Sequence, residues 1–164
     1  METLEVFFDY ICPYCLKAQE FLKELVLPKP EIHVLWRPCE SHPRPESWGP
    51  HSDLCIQGYL FALDHHADLW EYHDRMFRAA QKDGVPIEDA DALSECVKGL
   101  LDPDAFRKAL KTGVYRTRQL ALNDYAYEKS GVWAVPAYRM GGRRLDAVED
   151  VGVTRDQLAR FLNP

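Results

Sequence analysis

The sequence has no apolar run close to the roughly 20 residues that a membrane-spanning helix needs. It shows no basic stretch, apolar segment and small-residue cleavage site in succession, so no secretory leader is visible. Gly-rich phosphate loops and dinucleotide fingerprints are missing as well. Positive charge is in deficit: 20 Lys and Arg stand against 26 Asp and Glu, for a formal net charge of -6. With no basic stripe to offset that balance, a dedicated nucleic-acid surface is disfavoured. Cysteine is scarce and odd in number, five in 164 residues, which does not suit a fully paired secreted scaffold. In a reducing compartment single cysteines are mostly buried free thiols. The expectation is a cytoplasmic chain with neither membrane nor nucleic-acid partners. Aromatic residues are plentiful (4 Trp, 8 Tyr and 7 Phe), enough for one packed core with room for an insertion.

Against this background one stretch stands out, Cys12-Pro13-Tyr14-Cys15. An apolar run from Leu4 to Ile11 precedes it and a helical pattern follows. Cysteines two residues apart at a strand-to-helix junction fit a redox dithiol. They also fit half of a zinc site, which would need further ligands at close spacing. Cys39, Cys55 and Cys96 are scattered singly, and no second Cys-x-x-Cys exists.

Leu4 to Ile11 reads as a strand covered on both faces, interrupted by Asp9 near its C-terminal end. A helix is predicted from Pro13 to Val26, with proline at its first position and Cys15, Ala18, Leu22 and Leu25 on one stripe. Ile32 to Trp36 is the second strand, which makes a βαβ unit with parallel strands. Arg37 to Pro50 reads as an irregular, proline-rich loop. From about Ser52 to Ser130 the pattern is helical, with helices over Asp53–Leu63, Asp68–Gln81 and Asp89–Val97. A further helix begins at Asp102-Pro103, and a last one runs from about Gly113 to Lys129. The His65-His66 pair marks a joint. Ala137–Met140 and Arg143–Asp146 form a hairpin across Gly141-Gly142. Thr154 to Leu162 closes the chain, with Thr154 and Gln157 spaced for a capping box. The fold class is α/β: a four-stranded mixed sheet with helices on both faces, split by an inserted all-helical subdomain.

Sheet order and dithiol together resemble the thioredoxin fold, and the helical insertion resembles the DsbA-like family in particular. The stretches Phe7-Phe8-Asp9-Tyr10-Ile11-Cys12-Pro13-Tyr14-Cys15 and Trp36-Arg37-Pro38 look like its cytoplasmic FrnE-type branch. That branch is related to 2-hydroxychromene-2-carboxylate isomerases and kappa-class glutathione transferases. Gly131-Val132-Trp133-Ala134-Val135-Pro136-Ala137-Tyr138 looks like the family's cis-proline segment. The resemblance divides the chain into a thioredoxin-like domain, residues 1–50 and 131–164, on which the helix from about 113 packs, and a helical subdomain over about 51–112.

In this family's terms Cys12 is the attacking cysteine and Cys15 the resolving one. A helix N-terminus favours the Cys12 thiolate, but the dipole is worth roughly 0.3–1 kcal/mol, or up to about 2 when partly buried. At about 1.4 kcal/mol per pKa unit, it lowers the thiol by about one unit, and anything deeper needs direct amide hydrogen bonds. Pro13 and Tyr14 act through local geometry. Val135, before the cis-proline Pro136, is expected to face the dithiol with its backbone. Relatives often carry a buried acid six residues before the first cysteine; Val6 stands there instead. Asp9 or Glu20 is a candidate substitute, each also readable as a solvent-facing or structural carboxylate. Trp48, Trp70 and Trp133 read as packing groups, with Trp133 close enough to Pro136 to line a substrate groove. Cys39 lies in a loop that can approach the site and is a candidate extra redox thiol. His65, His66 and His73 do not make a metal site, and none is expected.

The resemblance implies a thiol–disulfide oxidoreductase acting on protein or small-molecule thiols and disulfides. No tightly bound cofactor is expected, and glutathione is a possible redox partner. The isomerase and transferase relatives place serine where this chain has Cys12, so retention of both cysteines favours redox exchange. Two alternatives remain: a glutathione-dependent isomerase or transferase on an aromatic metabolite, and a non-catalytic peptide-binding adaptor or holdase.

Overall fold

The computed structural model describes residues 2–164. Its sheet has four strands, β1 (Glu2–Phe8), β2 (Ile32–Pro38), β3 (Ala137–Met140) and β4 (Arg143–Asp146), in the order β2-β1-β3-β4. β1 pairs parallel to β2, with Val6 opposite Trp36. It pairs antiparallel to β3, with Phe7 opposite Ala137, and β3 pairs antiparallel to β4. The sheet is therefore mixed, and the ends of β1, β2 and β4 share one edge with the start of β3.

The first strand stops at Phe8, short of Ile11. The Asp9 carboxylate accepts from the Ile11 amide at 3.3 Å, and Cys12 N–H donates to Asp9 O at 3.2 Å. These local bonds replace a ladder with a turn, as short acidic side chains often do. α1 (Pro13–Leu25) then starts with Cys12 as its N-cap. It buries Cys15, Ala18, Gln19 and Leu22. Leu25 packs partly buried against the same core, and Gln19 joins the buried face, its amide reaching Asp74 Oδ1 at 3.3 Å.

Between β2 and β3 lie α2 (Asp53–Asp64), α3 (Leu69–Gln81), α4 (Ala90–Cys96), α5 (Pro103–Thr112) and α6 (Arg116–Asp124). Asp68, Asp89 and Asp102 cap three of these helices with side-chain bonds to backbone amides. The break between α2 and α3 falls where expected: His65 ends α2, and His66 has a left-handed φ of 55°. The last helix of the block continues past α6 as a π-helical turn, Tyr125–Lys129. β3 and β4 turn through Gly141 and Gly142, both at positive φ, the pairing a tight hairpin turn demands. α7 (Arg155–Leu162) carries the full Thr154–Gln157 capping box.

One continuous apolar core joins sheet and helices, from Leu4, Val6 and Phe8 through Leu22 to Phe77, Phe106 and Leu110. A smaller cluster of Phe7, Cys39, Ala126, Val132 and Ala137 lies on the other face of β1. The architecture is the thioredoxin-like α/β fold, with seven α-helices among the described residues.

Candidate active site

Three segments converge where β1, β2 and β3 meet the sheet edge. The register that sets Phe7 opposite Ala137 brings Val135-Pro136 beside the turn after β1. The Val135–Pro136 peptide bond is cis, and Cys12 Sγ lies 3.8 Å from Val135 O. From the third segment, Cys39 N–H donates to Phe8 O at 2.8 Å and Ser41 N–H donates to Asp9 Oδ2 at 2.7 Å.

The five cysteines are free thiols. Cys12 is partly exposed, while Cys15 is buried below it. A hydrogen bond from the Cys15 side chain lowers the Cys12 pKa, and the amides of Cys15 and Tyr14 lower it further. Partial burial and the Asp9 carboxylate oppose them without reversing the direction. Burial, then the neighbouring Cys12 sulfur, pushes the Cys15 thiol well up. The surroundings thus favour the thiolate at Cys12 and disfavour it at Cys15.

Asp9 is not solvent-facing. It is 0% exposed, and burial raises its pKa despite hydrogen bonds from Ser41 and Ile11. Glu20 is exposed on α1. Val6 is buried in the sheet opposite Tyr138. The buried acid near the dithiol is therefore at the end of β1, three residues before Cys12.

The other expectations divide. Cys39 is fully buried beside Phe7 and Val132, and desolvation pushes its thiol up to about 12. It approaches the site in space, yet it is shut off from solvent and held as a neutral thiol, the opposite of a reactive cysteine's setting. Trp70 does pack, edge-on to Trp36 with centroids 4.9 Å apart. Trp48 and Trp133 lie outside the core, 63% and 84% exposed, with the Trp48 ring against that of His42 at 5.3 Å between centroids. Both line a groove of about 760 Å³ that also takes in Cys12, Pro13, Tyr14 and Val135. His73 is buried among Phe8, Tyr10, Trp36 and Tyr59, with its Nδ1 2.9 Å from Tyr10 Oη. Among the described residues no group of three or more His, Cys, Asp or Glu is placed to hold a metal ion.

Several contributors carry no signal in the sequence. The Gln81 side chain, at the end of α3, donates to Tyr10 O at 2.8 Å and to Cys12 O at 2.9 Å. It ties the helical segment to the dithiol turn. Tyr127 lines the groove, and its hydroxyl donates to Glu40 O at 2.6 Å. His42, Glu149 and Asp150 complete the wall. These residues lie far from Cys12 in sequence, and only the capping and hairpin signals that place their elements could have pointed to them.

A dithiol at the N-terminus of α1, facing a proline loop across a thioredoxin-like sheet, defines a class, and comparison with known proteins gives the family. The chain matches the DSBA-like thioredoxin domain over residues 3–159 and belongs to that family. It is 26% identical over 174 aligned residues to the uncharacterized Bacillus subtilis protein YwbO, covering 84% of this chain and 86% of that one. Its structure resembles the cytosolic disulfide reductase DsbM from Pseudomonas aeruginosa with GSH. That likeness has a TM-score of 0.74 and 18% identity, over 98% of this chain and 96% of DsbM. It also resembles Chlamydia trachomatis DsbA, with a TM-score of 0.72 and 15% identity, over 98% of this chain and 84% of that one.

Proposed function

We propose that the chain is a thiol–disulfide oxidoreductase in which Cys12 is the nucleophile and Cys15 the resolving cysteine. The observation that carries this is the asymmetry of the pair: Cys12 opens onto a groove with its pKa lowered, and Cys15 is buried beneath it with its pKa raised. The Cys12 thiolate attacks a substrate disulfide, which breaks and releases one thiol. Cys15 then gives up its proton, closes on the Cys12 sulfur and frees the second thiol. A thiol or dithiol reductant returns the pair to its reduced form. Pro13, Tyr14, Val135 and Pro136 shape the approach, and Asp9 is the buried acid closest in sequence to the reacting pair. We take Trp133 as part of the substrate groove. Cys39, sealed in the second cluster, has no part in exchange on this reading.

The likeness to DsbM supports a cytoplasmic setting, and DsbM's structure with GSH supports glutathione as a candidate redox partner. No tightly bound cofactor is needed for the chemistry. The stretch from Phe7 to Cys15 favours the FrnE-type branch. On the same reading residues 1–50 and 131–164 form the redox domain and about 51–112 an inserted helical subdomain.

The test is reduction of insulin by the protein under dithiothreitol, with the Cys12–Cys15 potential measured in a glutathione buffer. Turnover is expected to vanish in Cys12→Ser. A protein whose dithiol neither forms nor breaks a disulfide in that buffer would overturn the reading.

A further inference from the structure

Resting on that redox reading, we propose that the groove beside Cys12 selects positive charge. Its substrate is an extended polypeptide segment with Lys or Arg flanking the cysteine that Cys12 attacks, and segments with Asp or Glu in those places are poorer substrates.

The charges set the sign. Glu149 and Asp150 line the groove, and no Lys or Arg does. Among the described residues neither carboxylate is in an ion pair. His42, the other ionisable wall residue besides the tyrosines and Cys12, already has Nδ1 at 2.7 Å from Glu46 Oε1. A cation entering the groove meets two free carboxylates, and an anion meets no compensating charge.

The two carboxylates are held in place. They sit in a tight turn in which Gly152 N–H donates to Val148 O at 2.8 Å and Val148 N–H donates to Gly152 O at 3.2 Å. Gly152 has φ 81°, and a Cβ there would stand 2.9 Å from Tyr14 Cδ1. The turn's backbone is thus pressed against the dithiol's own Tyr14, which keeps both carboxylates on the Cys12 side of the groove. Asp150 itself adopts a left-handed φ of 62°, uncommon for a residue with a side chain.

The tryptophans point the same way by a separate route. Trp133 and Trp48 expose indole surface in the same groove. Indole faces attract ammonium and guanidinium groups, more strongly as water is excluded.

Topology sets the size of the ligand. The loop after β2 brings His42 and Trp48, and the loop after β4 brings Glu149 and Asp150. In the order β2-β1-β3-β4 these loops leave opposite margins of the sheet, with Cys12 and Val135 between them. At about 4.8 Å per strand the margins are roughly 14 Å apart. A ligand touching both walls therefore spans about four extended residues, which a polypeptide segment supplies. Exposed Val148 and Tyr14 give its apolar side chains a surface.

The test is single-turnover reduction by the reduced protein. The probes are two peptides of equal length whose one cysteine is flanked by Lys or by Glu, each linked to 2-mercaptoethanol as a mixed disulfide. The two electrons come from Cys12 and Cys15, which end as a disulfide while the peptide and 2-mercaptoethanol leave as thiols. Each rate is divided by the rate with free dithiothreitol, which removes intrinsic reactivity. The Lys peptide is expected to react about tenfold faster at low salt, as two free carboxylates a few ångströms from a cation imply. That ratio should fall about threefold or more in Glu149→Gln/Asp150→Asn, and likewise in about 0.5 M NaCl, where screening is strong. A ratio near one in the wild type, or a ratio that neither the double variant nor salt changes, overturns the proposal. Anisotropy of the same sequences bound to Cys12→Ser keeps the two readings apart. If neither disulfide is reduced but the trap still prefers the Lys peptide, the redox reading fails and charge selection stands. If both are reduced and the trap shows no preference, charge selection fails and the redox reading stands.

Discussion

Cys12 and Cys15 share a turn of helix, and their surroundings drive their protons in opposite directions. The leading cause at Cys12 is the hydrogen bond from Cys15, so the pair is one device. Iodoacetamide alkylation of Cys12 should titrate below the ordinary thiol range. In Cys15→Ala, which removes the donor, the midpoint should rise. In Cys15→Ser, whose hydroxyl still donates, it should stay near the wild-type position. Asp9→Asn should lower the midpoint, because the buried carboxylate works against the Cys12 thiolate. An alkylation profile that ignores both Cys15→Ala and Asp9→Asn would show that neither neighbour sets the thiol. The dithiol itself was legible from Cys12-Pro13-Tyr14-Cys15. The burial of Asp9 was not, because it depends on Ser41 N–H, which arrives from the loop after β2.

At the scale of elements, the sequence signals that held were local ones. Asp102-Pro103 as a helix start, Thr154 with Gln157, and Gly141-Gly142 each act through bonds or torsions within a few residues. The signals that misled involved distant partners. Trp48 and Trp133 looked like core residues by type, yet no element folds over the loops that carry them. Gln81 entered the sequence reading only as the end of a helix, and its amide bridges two carbonyls of the dithiol turn. Gln81→Ala is expected to cost about 1–2 kcal/mol, at about 1 kcal/mol for each lost hydrogen bond. Gln81→Glu should cost more, because a carboxylate would face the Tyr10 and Cys12 oxygens. Urea unfolding of the reduced proteins checks both, and a Gln81→Ala midpoint equal to wild type would rule out the brace.

For the whole molecule, the buried ionisable groups shape stability against pH. His73 is enclosed by aromatic rings, and desolvation lowers its pKa to about 3. The unfolded chain takes up the His73 proton near pH 6.5 and the native protein does not, so stability falls as pH drops below about 6.5. The slope is about 1.4 kcal/mol per unit, or roughly 2 kcal/mol between pH 6.5 and 5. Burial raises the pKa of Asp9 and of Glu40, and these two work the other way, favouring the native state as pH falls toward their ordinary values. His73→Phe should therefore flatten the acid limb, and denaturant midpoints at pH 7 and 5 measure it. An acid limb of equal steepness in wild type and variant would assign the loss to other groups. The βαβ unit, the helical block and the closing hairpin and helix were readable from strand and helix patterns, and the DsbA-like plan from the resemblance they carry together with the dithiol and Val135-Pro136. The aromatic enclosure of His73 was not, because its walls come from β1, β2 and α2 as well as α3.

The exposed indole of Trp133 has one more consequence. An indole in water emits at long wavelength, and a segment laid over it moves that emission toward the blue. With Trp48 on the same groove, the protein carries its own optical readout of whatever comes to rest beside Cys12, with no label to attach.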